Sequence, residues 1–66
     1  MELTRNQSPA EFIKEARKKL RLTQEELSSR IGTPRYNIAK YETGATRPSG
    51  DVILKIIHLL EADIAF

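Results

Sequence analysis

The feature that most constrains this chain is the break Gly32-Thr33-Pro34 inside the stretch Gln24 to Gly44, QEELSSRIGTPRYNIAKYETG. The stretch reads as two short helices joined at a glycine. Gly32 stops the first, because glycine accepts the left-handed C-terminal conformation without a Cβ clash. Thr33 is then placed to cap the second, and Pro34 suits a first helical turn, where no intrahelical N–H bond is lost. Leu27, Ile31, Ile38 and Tyr41 supply apolar anchors, and Ser28 is small where the helices approach. These signals predict helix 2 over about 24–31 and helix 3 over about 34–43.

Sixty-six residues make one domain, and a chain of that size buries only about 60% of its unfolded surface. Cysteine is absent and His58 is the single histidine, so neither disulfides nor a thiolate or imidazole metal cluster is expected to support the core. No cofactor is implied. Stability must come from well-capped, well-packed helices and from oligomerisation. The opening MELTRNQSP has no apolar run, and no segment approaches the ~20 apolar residues that span a bilayer. A cytoplasmic protein without a membrane partner is the expectation. The net charge of +2, from 11 basic and 9 acidic residues, is a weak pointer to nucleic acid unless the charges are well placed.

Punctuation along the chain predicts four helices. Residues 1–7 lack periodicity and are expected to form a mobile arm before a single domain over 8–66. Ser8-Pro9-Ala10-Glu11 combines a capping serine, a first-turn proline and a glutamate three residues after the cap. Phe12, Ile13, Ala16 and Leu20 continue a helical stripe, giving helix 1 over roughly 9–20. Thr23-Gln24-Glu25-Glu26 is a second capping box and opens helix 2. Ala45-Thr46-Arg47-Pro48 reads as a loop, after which Ser49 and Asp51 start helix 4. Its β-branched residues suggest a strand, but nine residues between the cap and Glu61, with positions 53, 56, 57 and 60 on one face, favour a helix. That stripe is expected to meet the core, leaving Val52, Leu54 and Leu59 for another partner. The apolar Ala62, Ile64, Ala65 and Phe66 either fold back on helix 4 or join a dimer contact.

The spacing of helices 2 and 3 is that of a helix-turn-helix, whose second helix enters a DNA major groove. The segment from about Glu11 to Leu60 resembles the phage repressor and Cro helix-turn-helix family, also called the xenobiotic-response-element type. The residues that carry the resemblance are Leu22-Thr23-Gln24-Glu25-Glu26-Leu27, Gly32, Ile38, Tyr41-Glu42, Gly44 and Arg47-Pro48-Ser49-Gly50. It implies an all-α, lambda repressor-like bundle of four to five short helices, usually dimeric on double-stranded DNA. Ser28 stands where the family usually has alanine, and the chain up to Phe66 leaves room for only a stub of the family's fifth helix.

On helix 3, Arg35 and Tyr36 lie in the first turn and Lys40 one turn further along the same face. Arg35 is suited to bond guanine O6 and N7 bidentately, and Tyr36 to pack on a thymine methyl or donate to a phosphate. Lys40 reaches a base or the backbone. By resemblance these three fall on base-reading positions. Gln24, at the first turn of helix 2, is expected to grip a phosphate, with Asn37, Thr43, Thr46 and Arg47 as further backbone contacts. Glu25 and Glu26 should turn away from DNA, and Lys18, Lys19 and Arg21 should form a solvated basic face. The resemblance also implies an ion pair between Arg17 and Glu42 that orients helix 3. His58, Ser28 and Ser29 lack any catalytic context, so no enzyme is expected. The function implied is a transcriptional repressor acting as a homodimer on a palindromic operator. The rivals are an antitoxin that represses its own operon while capping a toxin, and a protein-interaction module on the same fold.

Overall fold

The computed structural model describes residues 8–63 in full and the backbone of Ile64. The expected arm over 1–7, and the expected contributions of Ile64, Ala65 and Phe66 to packing, lie outside the described residues. The order is α1 (Pro9–Lys19), α2 (Gln24–Ile31), α3 (Arg35–Thr43) and α4 (Gly50–Ile64). All four elements are helices, the all-α arrangement that the lambda repressor-like resemblance implies.

Each of the first two helices opens with a capping box. Ser8 Oγ accepts from the Glu11 N–H at 3.2 Å while Glu11 returns a bond to the Ser8 N–H. Thr23 Oγ1 accepts from the Glu26 N–H at 3.0 Å, and Glu26 Oε1 accepts from the Thr23 N–H at 2.8 Å. Each box satisfies two backbone donors that the helix start would otherwise leave open.

Helix α1 ends one residue earlier than the sequence suggests, by a device the sequence hides. Leu20 caps it, Arg21 takes φ +59°, and the Leu22 N–H donates back to the Arg17 carbonyl at 3.0 Å. This is a Schellman closure with arginine where glycine is the low-energy choice. It turns Leu22 onto the core. Gly32 (φ +68°) and Gly44 (φ +82°) end α2 and α3 in the same left-handed conformation.

Thr33 does not cap α3. Pro34 occupies the cap position with φ −55° and ψ 141°, no side chain bonds the helix start, and Thr33 is buried at 8% exposure. A residue before proline is held extended, which here places Thr33 one step outside the cap. Its N–H donates to the Ser28 carbonyl at 3.2 Å instead. Helix α3 therefore begins at Arg35 rather than Pro34.

The core takes Phe12, Ile13 and Ala16 from α1, Leu27 and Ile31 from α2, Ile38 from α3, and Val52 and Ile56 from α4. Both α3 and α4 pack on α1 and α2. Ile13, Leu27, Ile38 and Ile56 are fully buried, each contributing about 1.5–3 kcal/mol relative to exposure.

Helix α4 corrects two expectations. It runs 15 residues, to Ile64, so Ala62 continues the helix at an exposed position instead of folding back on it, because Glu61, Ala62 and Asp63 contain nothing that breaks a helix. Its phase also differs: Val52, expected to face away, is buried with Ile56, while Ile53, Ile57, Leu59 and Leu60 are half-buried and Leu54 is 54% exposed. A helix this apolar offers two adjacent stripes of similar hydrophobicity, and packing against α1 and α2 selects between them. Its start is as expected, with Ser49 Oγ accepting from the Val52 N–H at 3.3 Å. Lys55 adds a polar tie, its Nζ lying 3.4 Å from the Ile31 carbonyl at the end of α2, where positive charge complements the helix dipole.

Candidate nucleic-acid interface

Ile38 anchors α3 at 0% exposure, and Tyr41 packs against the core beside it. With that face turned inward, helical geometry sends Arg35 and Tyr36 outward. Arg35 is exposed, and Tyr36 is 71% exposed although it is a large aromatic residue. Lys40, one turn on, sets its Nζ 5.0 Å from the Tyr36 ring centroid. Such a cation–π contact is worth about 0.5–1 kcal/mol at an exposed site, and it sets the two side chains next to each other on the outward face.

A charged network joins the far end of α3 to α1 and α2. Arg17 Nε donates to Glu42 Oε2 at 2.7 Å and Nη2 to Oε1 at 3.1 Å, while Nη1 donates to the Leu22 carbonyl at 3.0 Å. One guanidinium thus ties α1, the turn before α2, and the last turn of α3. The side chains are 17% and 6% exposed for Arg17 and Glu42. Burial pushes the Glu42 carboxyl up, but hydrogen bonds from Arg17 and Gln24 and the positive charges of Arg17 and Lys14 outweigh it, so the group titrates below its ordinary value. The same hydrogen bond raises Arg17 further above its already high value, against a smaller loss from burial.

Gln24, in the first turn of α2, is half-buried and donates from Nε2 to Glu42 Oε1 at 3.2 Å. Arg17, Thr23, Gln24, Glu25 and Arg35 together line an open depression of about 370 Å³. The structure therefore brings Gln24 and Arg35, 11 positions apart in the chain, to one surface hollow, and Glu25, expected to turn away from this side, lines it with them because it shares the first turn of α2 with Gln24. Glu26 is turned into its capping box. Asn37 is half-buried, and Thr43 is exposed with its hydroxyl donating to the Lys40 carbonyl at 3.1 Å. Thr46 and Arg47, on the loop after α3, are exposed and do not line the hollow.

Sequence reasoning placed Gln24 only toward DNA and missed its bond to Glu42, as well as the charge that Lys14 brings to that carboxylate. Separations of this length carry no helical period, so no local signal marks them. The Arg17 bond to the Leu22 carbonyl was equally hidden, since it depends on the left-handed turn at Arg21.

An all-α domain with a tight glycine turn between two helices, the second anchored by its apolar face and exposing arginine, tyrosine and lysine, defines a helix-turn-helix DNA-binding domain. A family model described as helix-turn-helix matches residues 13–66, and the chain belongs to that family, the Cro/C1-like, xenobiotic-response-element type. It is a DNA-binding helix-turn-helix regulator. The family is one of DNA-binding rather than enzymatic domains. No curated protein and no solved structure matched the chain. Among the described residues, no helix is long and apolar enough to cross a membrane.

Proposed function

We propose that this regulator is a sequence-specific repressor that binds a palindromic operator as a homodimer, one α3 in each of two major grooves about 34 Å apart. The observation that carries the reading is the exposure of Arg35 and Tyr36 on a helix whose opposite face is locked by Ile38. In this reading Arg35, Tyr36 and Lys40 contact base edges. Gln24, Asn37, Thr43, Thr46 and Arg47 contact the sugar–phosphate backbone, and the Arg17–Glu42 pair holds α3 at the angle the groove requires. Residues 8–66 act as one DNA-binding unit. The exposed Leu54 beside half-buried Ile53 and Ile57 supports α4 as the face that meets a second copy. A toxin seated on the same helix is the competing occupant.

Selection of duplexes from a random pool tests this directly. The expected result is an inverted repeat with half-site centres about one helical turn apart. Its affinity should fall with salt at a log–log slope of about −0.9 per phosphate neutralised. A pool that returns no enriched sequence, or binding indifferent to salt, contradicts the proposal. A single unrepeated half-site would retain DNA reading and remove the homodimer.

A further inference from the structure

We propose that Glu42, beyond pairing with Arg17, is a positioning residue for Gln24, holding one N–H of its amide and leaving the other for the DNA backbone. The inference rests on the DNA-binding reading above and concerns how one of its contacts is prepared. Glu42 is 6% exposed at its side chain. Its Oε2 receives Arg17 Nε at 2.7 Å, and its Oε1 is shared by Arg17 Nη2 at 3.1 Å and Gln24 Nε2 at 3.2 Å. Arg17 is itself pinned by the Leu22 carbonyl at 3.0 Å, so the carboxylate presents a fixed acceptor to Gln24.

The chemistry follows from donor and acceptor inventories. An ionised carboxylate only accepts hydrogen bonds, whereas a glutamine amide has a donating end and an accepting end of nearly equal shape. A free glutamine turns either end toward a phosphate, and only the NH₂ end makes a bond there, since phosphate oxygens also only accept. Against Glu42 the accepting end is repelled and one N–H of the NH₂ end is held. One N–H is then committed to Glu42, and the second remains for a phosphate at the mouth of the hollow that Gln24 shares with Arg35. The hydrogen bonds and charges that hold Glu42 ionised well below neutral pH keep this bias in force under ordinary conditions. Preorganisation of this kind removes an ordering cost that binding would otherwise carry.

The test uses a duplex selected by the wild-type protein and reads binding phosphate by phosphate through ethylation interference. Gln24→Met is expected to lose interference at one phosphate per half-site and to weaken binding about tenfold, as for one hydrogen bond to a charged group. Glu42→Gln should weaken binding generally, as its pair with Arg17 loosens, but lose that one phosphate well beyond the general loss, and Gln24→Met in the Glu42→Gln background should then cost less than about twofold. Uniform weakening at all phosphates in Glu42→Gln, or an undiminished cost of Gln24→Met in that background, would overturn the positioning role and leave Glu42 as an orienting partner of Arg17 alone.

A second measurement on the wild-type protein without DNA covers the case in which Glu42→Gln does not fold. The Gln24 side-chain amide protons, assigned by their loss in Gln24→Met, should shift with a carboxyl that titrates below the ordinary glutamate range. Amide shifts that ignore that titration would overturn the proposal. If the wild-type protein selects no duplex at all, the DNA-binding reading fails and the positioning role with it, while the amide titration still reports whether the Gln24–Glu42 bond forms.

Discussion

The α2–α3 pair and α4 solve different problems with different chemistry. The pair is held by directional bonds: a capping box at Thr23, the left-handed stops at Gly32 and Gly44, and the Arg17–Glu42–Gln24 network. Helix α4 is held mainly by apolar contact through Val52 and Ile56, with Lys55 as its polar tie to α2. Hydrogen bonds with charged partners fix angles, because geometry decides whether they form at all. Apolar burial stabilises but is non-directional, and α4 accordingly keeps Leu54 exposed and Ile53, Ile57, Leu59 and Leu60 only half-buried against the core. Helix α3 is thus held at a set angle, whereas α4 need only be buried on one side.

The largest expected effects lie in the shared core. Ile38→Ala removes a fully buried side chain and should cost about 2–5 kcal/mol. A core this small supplies about 3–5 kcal/mol, so the variant should be largely unfolded by circular dichroism. Leu54→Ser, on the outer stripe of α4, should leave the melting transition of the monomer within about 0.5 kcal/mol. Equal losses at the two positions would remove the distinction between anchored and spare apolar surface.

Arg17→Ala comes next, at about 2–3 kcal/mol in urea unfolding. The cost should exceed that of Glu42→Ala, because deleting Arg17 strands a carboxylate that is 6% exposed, whereas deleting Glu42 leaves a guanidinium with 17% exposure and its Leu22 bond. Buried ion pairs are weak sources of net stability but expensive to break from one side. The reverse order would show that the network is not what holds α3.

The acid response of Glu42→Gln should be smaller, about 1–2 kcal/mol at neutral pH. Because the folded protein lowers the Glu42 carboxyl, the ionised form is favoured by folding. Its contribution is fully present above the unfolded value of about 4.3 and is lost as pH falls through the lower folded value. Wild-type and Glu42→Gln stabilities, measured from pH 7 down to about 3, should therefore converge at the acid end. A constant gap would assign the difference to packing.

The smallest change runs the other way. Arg21→Gly should stabilise the protein by about 0.5–1 kcal/mol, because arginine carries a Cβ penalty at φ +59° that glycine does not. A loss in thermal melts would mean that the Arg21 side chain does more than occupy a turn.

Much of the fold was legible because its signals are local. Ser8 and Thr23 with their glutamates, and the glycine stops, depend on neighbours three or four residues away. Thr33 misled because threonine before a helix is a good cap in general, and proline at the next position moves it outside the cap geometry. The phase of α4 was ambiguous because Val52 through Leu60 is apolar around most of the helix, so only its partners choose the buried stripe. The exposed positions of Arg35 and Tyr36 followed from Ile38 and Tyr41 facing the core. The Gln24–Glu42 bond did not follow, since it joins the start of one helix to the end of another.

Whether the outward face of α3 reads base pairs is decided by parallel selection from one random duplex pool with wild-type and Arg35→Ala protein. Arg35→Ala should still select a related site but lose preference at one base pair per half-site, by about 1–3 kcal/mol, with the other positions retained. An unchanged preference at every position would contradict it.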